Sequence, residues 1–167
     1  QEYLKPGAHH CKVVSITTSD LIDNYKGSPF ITFNVTSNNK NGRVQMWAVK
    51  QTDKPSTQDW KKKQMKDFLV NAGIKDFSDD SKAMNDVIGK DLMITFISEE
   101  YVTVNRETGE PVIREAVKYR WSNKAGANCA YSPDMNKKLS NEDRDKYKVM
   151  MKDYQGTSAS VENADGM

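Results

Sequence analysis

Only two cysteines, Cys11 and Cys129, and two histidines, the adjacent His9 and His10, occur in the 167 residues of this chain. Two isolated cysteines make neither a disulfide framework nor a zinc spacing, and a reducing compartment suits them. His9, His10 and Cys11 are consecutive in a strand-like run. Three consecutive strand side chains cannot all face one ion, so no metal is expected. Adjacent histidines also leave no credible partner for a Ser or Cys nucleophile, there is no Gly-rich phosphate loop, and Glu99 and Glu100 point apart in a strand. Neither an enzyme nor a cofactor is expected.

Long apolar runs are missing as well. None approaches the roughly 20 residues that a membrane helix needs. No secretory h-region opens the chain, and the absent initiator Met suggests a processed, trimmed or re-numbered start. A cytoplasmic protein without a membrane partner is expected. The formal net charge is only +2, too small for composition alone to argue for nucleic acid, so any electrostatic case rests on local faces. A hydrophobic content of 37% is low for a wholly globular chain. One domain over residues 1–124 and a C-terminal extension over 125–167 are expected.

What is present centres on Ser28 to Val49, which alternates as two strands. Ile31, Phe33 and Val35 share one face and Phe30, Thr32 and Asn34 the other. After a turn from Asn38 to Gly42, Val44, Met46 and Ala48 form the matching apolar set, which leaves Arg43, Gln45 and Trp47 outside. A cation, an amide and an indole suit single-stranded nucleic acid better than bare solvent.

Before this pair, HHCKVVSI reads as a first strand in which the apolar parity changes between Val13 and Val14, which suggests a bulge or a strand that bends between two sides of a barrel. A loop from Asp20 to Ser28 follows, with Tyr25 and Lys26 at its tip. Beyond the third strand, Ser56 or Thr57 is a candidate N-cap for a helix that buries Met65, Phe68, Leu69 and Ala72, stops at Gly73, and turns Lys61, Lys62, Lys63 and Lys66 outward. An Asp- and Ser-rich connector from Lys75 to Asp86 leads to a fourth strand with Leu92, Ile94 and Phe96 inside. The turn Asn105 to Pro111 makes a long hairpin whose return strand carries Arg114, Lys118 and Arg120 on one face. Ser140 and Asp143 resemble a capping box for a helix with a Tyr147, Met150, Met151 and Tyr154 stripe, and Gln155 to Met167 reads as a mobile tail.

The order strand, strand, strand, helix, strand, hairpin, strand is the plan of a five-stranded OB-fold barrel. The expectation is therefore a mainly β protein: an OB barrel with a helix between strands three and four, an extended hairpin between strands four and five, and a short C-terminal helix. On that plan Phe30, Arg43 and Trp47 fall on the face that commonly holds oligonucleotides. Tyr25 and Lys26 fall on the first long loop, and Lys50 just past strand three.

Pro6-Gly7, Lys26-Gly27-Ser28-Pro29, Lys66-Asp67-Phe68-Leu69 with Ala72-Gly73, and Val87-Ile88-Gly89-Lys90 occur in this order over most of residues 4–121. In these motifs the chain resembles the small phage-encoded single-stranded DNA-binding proteins built on one OB domain. The resemblance implies sequence-independent coating of replication or recombination intermediates, in the host cytoplasm. Some members recruit partners through an acidic C-terminal tip; here SVENADGM carries two acidic residues, a departure from that pattern.

Under this expectation Phe30, Trp47, Tyr25 and Tyr101 stack on bases. Arg43, Lys118 and Arg120, supported by Lys26, Lys50 and Arg114, neutralise phosphates. DNA and RNA both fit, because the 2′-hydroxyl contacts that separate them depend on geometry. The Tyr147, Met150, Met151 and Tyr154 stripe is expected first to pack on its own domain, and is otherwise a candidate contact for a homo-oligomer or a replication partner. The competing expectation is a protein-binding adaptor of a virion or replisome that uses the barrel as scaffold, without affinity for nucleic acid.

Overall fold

A computed structural model describes residues 2–20 and 29–165, with side chains described for 2–18 and 30–156. Tyr25 and Lys26 lie outside the described residues. Among the described residues five antiparallel strands form one sheet: β1 (Gly7–Asp20), β2 (Pro29–Ser37), β3 (Lys40–Trp47), β4 (Asp91–Val104) and β5 (Pro111–Lys124), in the spatial order β3-β2-β1-β4-β5. Helices α1 (Pro55–Asn71) and α2 (Asp80–Asp86) lie between β3 and β4 in the chain, and α3 (Asn141–Asp165) follows β5. The fold is mainly β. Contacts divide the chain into two units, Gln1–Ile97 with Val117–Pro133, and Ser98–Ala116 with Asp134–Met167.

In the first unit the alternation of β2 and β3 does what the sequence predicts. Ile31 pairs with Met46, Phe33 with Val44 and Val35 with Gly42, so one face of the hairpin is apolar. Phe33, Val35, Val44 and Met46 are all buried. The turn is tighter than expected. Asn38 and Asn39 alone make it, with φ of 50° and 65°, as a two-residue hairpin of right-handed twist requires. Gly42 belongs to β3, not to the turn. A Cβ there would lie 2.9 Å from Leu4 Cδ1, 3.1 Å from Phe96 Cζ and 3.2 Å from Val35 Cγ2, so its missing side chain lets the N-terminal segment and β4 close over the strand.

The expected bulge in β1 is present, as a register shift between Val13 and Ser15. Cys11 and Val13 face the core before it and Ile16 packs against the core after it, which a strict two-residue period could not achieve. β1 itself runs further than HHCKVVSI, to Asp20.

Helix α1 starts at Pro55 rather than at a Ser56 or Thr57 cap, because proline at the first helical position is preset in φ and has no amide to leave unbonded. It ends as the sequence predicts. Gly73 takes φ of +93°, its N–H donates to Val70, and the Ile74 N–H donates to Leu69, a Schellman closure that buries Ile74. Phe68 is buried between Phe33 of β2, at 4.5 Å between ring centroids, and Tyr119 of β5, at 6.2 Å edge-on. One side chain of the helix thus packs on strands from both halves of the sheet.

Two expectations fail here. The Lys75 to Asp86 connector contains α2, capped by Asp79, whose carboxylate accepts from the Ser81 and Lys82 N–H groups, and held to the core by Ala83. Lys61 does not join the outward lysines. It is 6% exposed and its ammonium donates to Asp53 Oδ2 at 2.8 Å and to the Ala48 carbonyl at 3.2 Å. A lysine buried against an apolar face is tolerable only with such partners.

The second unit contains the outer part of the β4–β5 hairpin. Asn105 and Glu110 close its turn, with the Asn105 N–H donating to the Glu110 carbonyl at 2.8 Å and Gly109 at φ of +74°. The segment around Lys137 runs parallel to Glu99 as an extra bridge; its N–H donates to the Ser98 carbonyl and its carbonyl accepts from Glu100. Ser140 caps α3 as predicted, its hydroxyl accepting from the Asp143 N–H at 3.1 Å. The helix is not short. It covers 25 residues and continues through most of the segment expected to be a tail. Tyr147, Met150, Met151 and Tyr154 are half-buried, as a stripe at that spacing should be.

Candidate nucleic-acid interface

The outward faces of β1, β2 and β3 form a lattice whose rows follow from strand register. Ser15, Asn34 and Arg43 make one row, Thr17, Thr32 and Gln45 the next, and Phe30 and Trp47 lie beyond them. Because β2 and β3 alternate, burying Phe33, Val35, Val44 and Met46 forces Phe30, Asn34, Arg43 and Trp47 to the other side.

Phe30 and Trp47 are cross-strand partners with ring centroids 3.9 Å apart and planes tilted by 36°. Both are half-buried, so each keeps part of its surface open to solvent. Arg43 is exposed on the same strand face as Trp47, four residues away, or roughly 13 Å at the usual strand rise. Between them Gln45 is exposed while Thr32 is covered. Asn34 is oriented by a 3.0 Å bond from its Nδ2 to Ser15 Oγ. The face therefore offers an aromatic pair at one end, amide and hydroxyl groups along its middle and a guanidinium at the other end.

Lys50 lies past the end of β3, where its backbone N–H donates to Asp53 Oδ2 at 2.8 Å. That bond and the Lys61 ammonium fix the loop that follows Trp47. They also hold the Asp53 carboxyl below its ordinary range, the Lys61 hydrogen bond being the larger cause.

The three cations of β5 do not share one environment. Lys118 is exposed, next to Val117, which shares a cavity of about 350 Å³ with Gly42 and Arg43. The Arg120 guanidinium lies 4.7 Å over the Trp121 ring, in a cleft shared with α1. Arg114 is exposed in the second unit, as is Tyr101. Among the predicted residues, then, Phe30, Trp47 and Arg43 occupy one face. Asn34 lies on Phe30's face as the alternation predicts; Ser15 and Thr17 carry no sequence signal of their own, yet the parity change at the bulge already puts them on Trp47's side.

Cys11 is buried, and burial pushes its thiol up to about 12. Cys129 Sγ lies 2.7 Å from Thr95 Oγ1 and 3.0 Å from Asn123 Oδ1, so both cysteines serve packing. No group of three or more His, Cys, Asp or Glu residues able to hold a metal ion occurs among the described residues. No helix of the described residues is long and apolar enough to cross a membrane.

Compared with known family models the chain matches none, and the curated proteins also give no match.

Proposed function

We propose that this protein binds single-stranded nucleic acid without regard to base sequence, through the outward face of β1, β2 and β3. The observation that carries the proposal is the Phe30–Trp47 pair, two half-open aromatic rings 3.9 Å apart at strand positions that alternate with buried Phe33, Val44 and Met46, Trp47 also bordering a cavity with Ile31, Met65 and Leu69. Two such rings are poor surface for a protein in water but a good platform for bases, since every base has a π-face. Arg43 serves a phosphate, and Gln45 and Asn34 reach sugar or base edges without fixing identity.

An OB barrel is the architecture that fits this role. The order β3-β2-β1-β4-β5 is that of such a barrel opened between β3 and β5, and a helix follows β3. Closure is supported by the cavity that Gly42 and Arg43 of β3 share with Val117 of β5, and by Phe68 packing on Phe33 and Tyr119. In this architecture the protein coats exposed strands during replication or recombination, as the phage proteins it resembles do.

Tryptophan emission and gel mobility with a mixed-sequence single strand of about 30 nucleotides, longer than the roughly 4–16 one barrel covers, test the function. Saturable quenching and a shifted band at low salt are expected. Absence of both refutes it.

A protein-binding adaptor is the second reading, favoured by the second unit, where Tyr101, Val104, Ile113 and Val149 are exposed. Light scattering after size exclusion, with and without oligonucleotide, separates the two: a discrete protein complex with no strand affinity supports the adaptor.

A further inference from the structure

The first unit holds a second aromatic and cationic surface, away from the β2–β3 pair in sequence and built from other elements. A cleft of about 390 Å³ lies between α1 and the end of β5, a size typical of small-ligand sites. Its walls include Trp60, Lys63 and Asp67 from the helix and Arg120 and Trp121 from the strand. The helix and strand are clipped together where Asn71 Nδ2 donates to the Ser122 carbonyl at 3.2 Å and to its Oγ at 2.9 Å.

Three features are out of keeping with a plain packing seam. Trp60 is 49% exposed, although a packed tryptophan on α1 would bury most of its ring. The Arg120 guanidinium carbon lies 4.7 Å over the Trp121 ring, a cation–π contact that still leaves N–H groups to donate to a ligand. Lys63 pairs with Asp67 at 2.7 Å, but both are largely exposed, and such a pair is weak enough for the ammonium to exchange its partner for a phosphate. With Lys63, Asp67 and Arg120 the cleft carries a net positive charge.

We infer that the α1–β5 cleft is a second contact for the nucleic-acid strand, taking one nucleotide with its base on the Trp60 and Arg120–Trp121 surfaces and its phosphate on Arg120 and Lys63. The inference takes its ligand class from the proposed function, and extends it to a surface that the β-sheet face does not include. A base fits because both tryptophans offer π-surface; a phosphate fits because Lys63 and Arg120 line the same cleft.

The protein has three tryptophans, so Trp47→Phe leaves Trp60 and Trp121 as the reporters of the cleft. A thymidine oligonucleotide of about 30 nucleotides is titrated into the full chain, following emission and gel mobility together. The expected result is saturable quenching in Trp47→Phe, lost when Arg120→Glu is added. Trp60→Ala alone weakens the mobility shift roughly tenfold, and both Trp60 and Arg120 are exposed enough to be changed without disturbing the core. Retained binding of Trp47→Phe with unchanged emission, or quenching that Arg120→Glu leaves intact, overturns the cleft alone. Failure of the unaltered protein to bind the oligonucleotide overturns the cleft and the proposed function together.

Discussion

Phe30 and Trp47 face each other across the β2–β3 ladder with ring centroids 3.9 Å apart, at strand positions that alternate with buried Phe33 and Val44. Aromatic pairs across strands stabilise a sheet by less than about 1 kcal/mol each. As the base platform proposed above, the same rings would be worth more. Trp47→Ala is expected to weaken binding by about 1–3 kcal/mol, nearly equally for thymidine, adenosine and mixed oligonucleotides. Fluorescence anisotropy with the three labelled strands checks this. A loss confined to one sequence would mean that Trp47 reads base identity.

The Lys61–Asp53 pair sets an acid limit on the first unit. Lys61, and after it the Lys50 N–H, hold the Asp53 carboxyl below its ordinary value of 3.8. The ionised form is favoured by folding, so its stabilisation is complete above about 3.8 and is lost as pH falls through the lower folded value. Asp53→Asn is expected to lower the melting temperature at neutral pH and to flatten its fall below about pH 4. Asp76, lowered by its hydrogen bonds to Ser78 and by Lys82, keeps part of the acid slope in that variant. Melting curves from pH 2 to 7 decide it; identical acid slopes with and without Asp53 would contradict it.

Thiol labelling separates the two cysteines. With its thiol pushed up to about 12 by burial, Cys11 holds no useful thiolate at neutral pH and has no path to reagent. Half-buried Cys129 is expected to react first in the native protein, and Cys11 only after denaturant is added. Above an unfolded value of about 9 the raised Cys11 pKa also works against the fold, so stability falls between about pH 9 and 12. Two equally fast thiols in the native protein would show that the β1 core opens readily.

Gly42 has no room for a side chain, with Leu4, Phe96 and Val35 all within 3.2 Å of where a Cβ would stand. Gly42→Ala is expected to cost about 1–3 kcal/mol in urea unfolding by overpacking, and to loosen the N-terminal segment from β3. Phe68→Ala, which empties the site between Phe33 and Tyr119, is expected to cost more, about 3–5 kcal/mol. A smaller effect at Phe68 than at Gly42 would contradict the packing described for α1.

The legible parts of this fold are those set by local period. Phe33, Val44 and Met46 alternate cleanly, and the parity change at Val13 and Val14 announces the bulge. The Schellman end of α1 is written in Gly73 and Ile74. Helix α2 was hidden because an Asp- and Ser-rich run reads as loop, while one of its aspartates, Asp79, acts as a cap. Lys61 looked like a member of a solvated run, since its partner Asp53 comes near only when the loop after β3 folds back. Gly42 resembled a turn residue because Asn38 to Gly42 is rich in turn formers, and only the neighbours of its missing Cβ explain it. Of the candidate site, Phe30, Arg43 and Trp47 followed from alternation alone. That Arg120 lies against Trp121 beside α1 depended on tertiary packing, which strand parity does not carry.

The most direct test of the central claim is a salt titration of binding to a single strand of about 30 nucleotides, with the unaltered protein and Arg43→Ala side by side. The expected result is tight, saturable binding at low salt whose logarithm falls linearly with that of the salt concentration, and a slope shallower by about 0.7 in Arg43→Ala. Binding that does not respond to salt, or no binding at the lowest salt, would contradict a strand held on the β1–β2–β3 face.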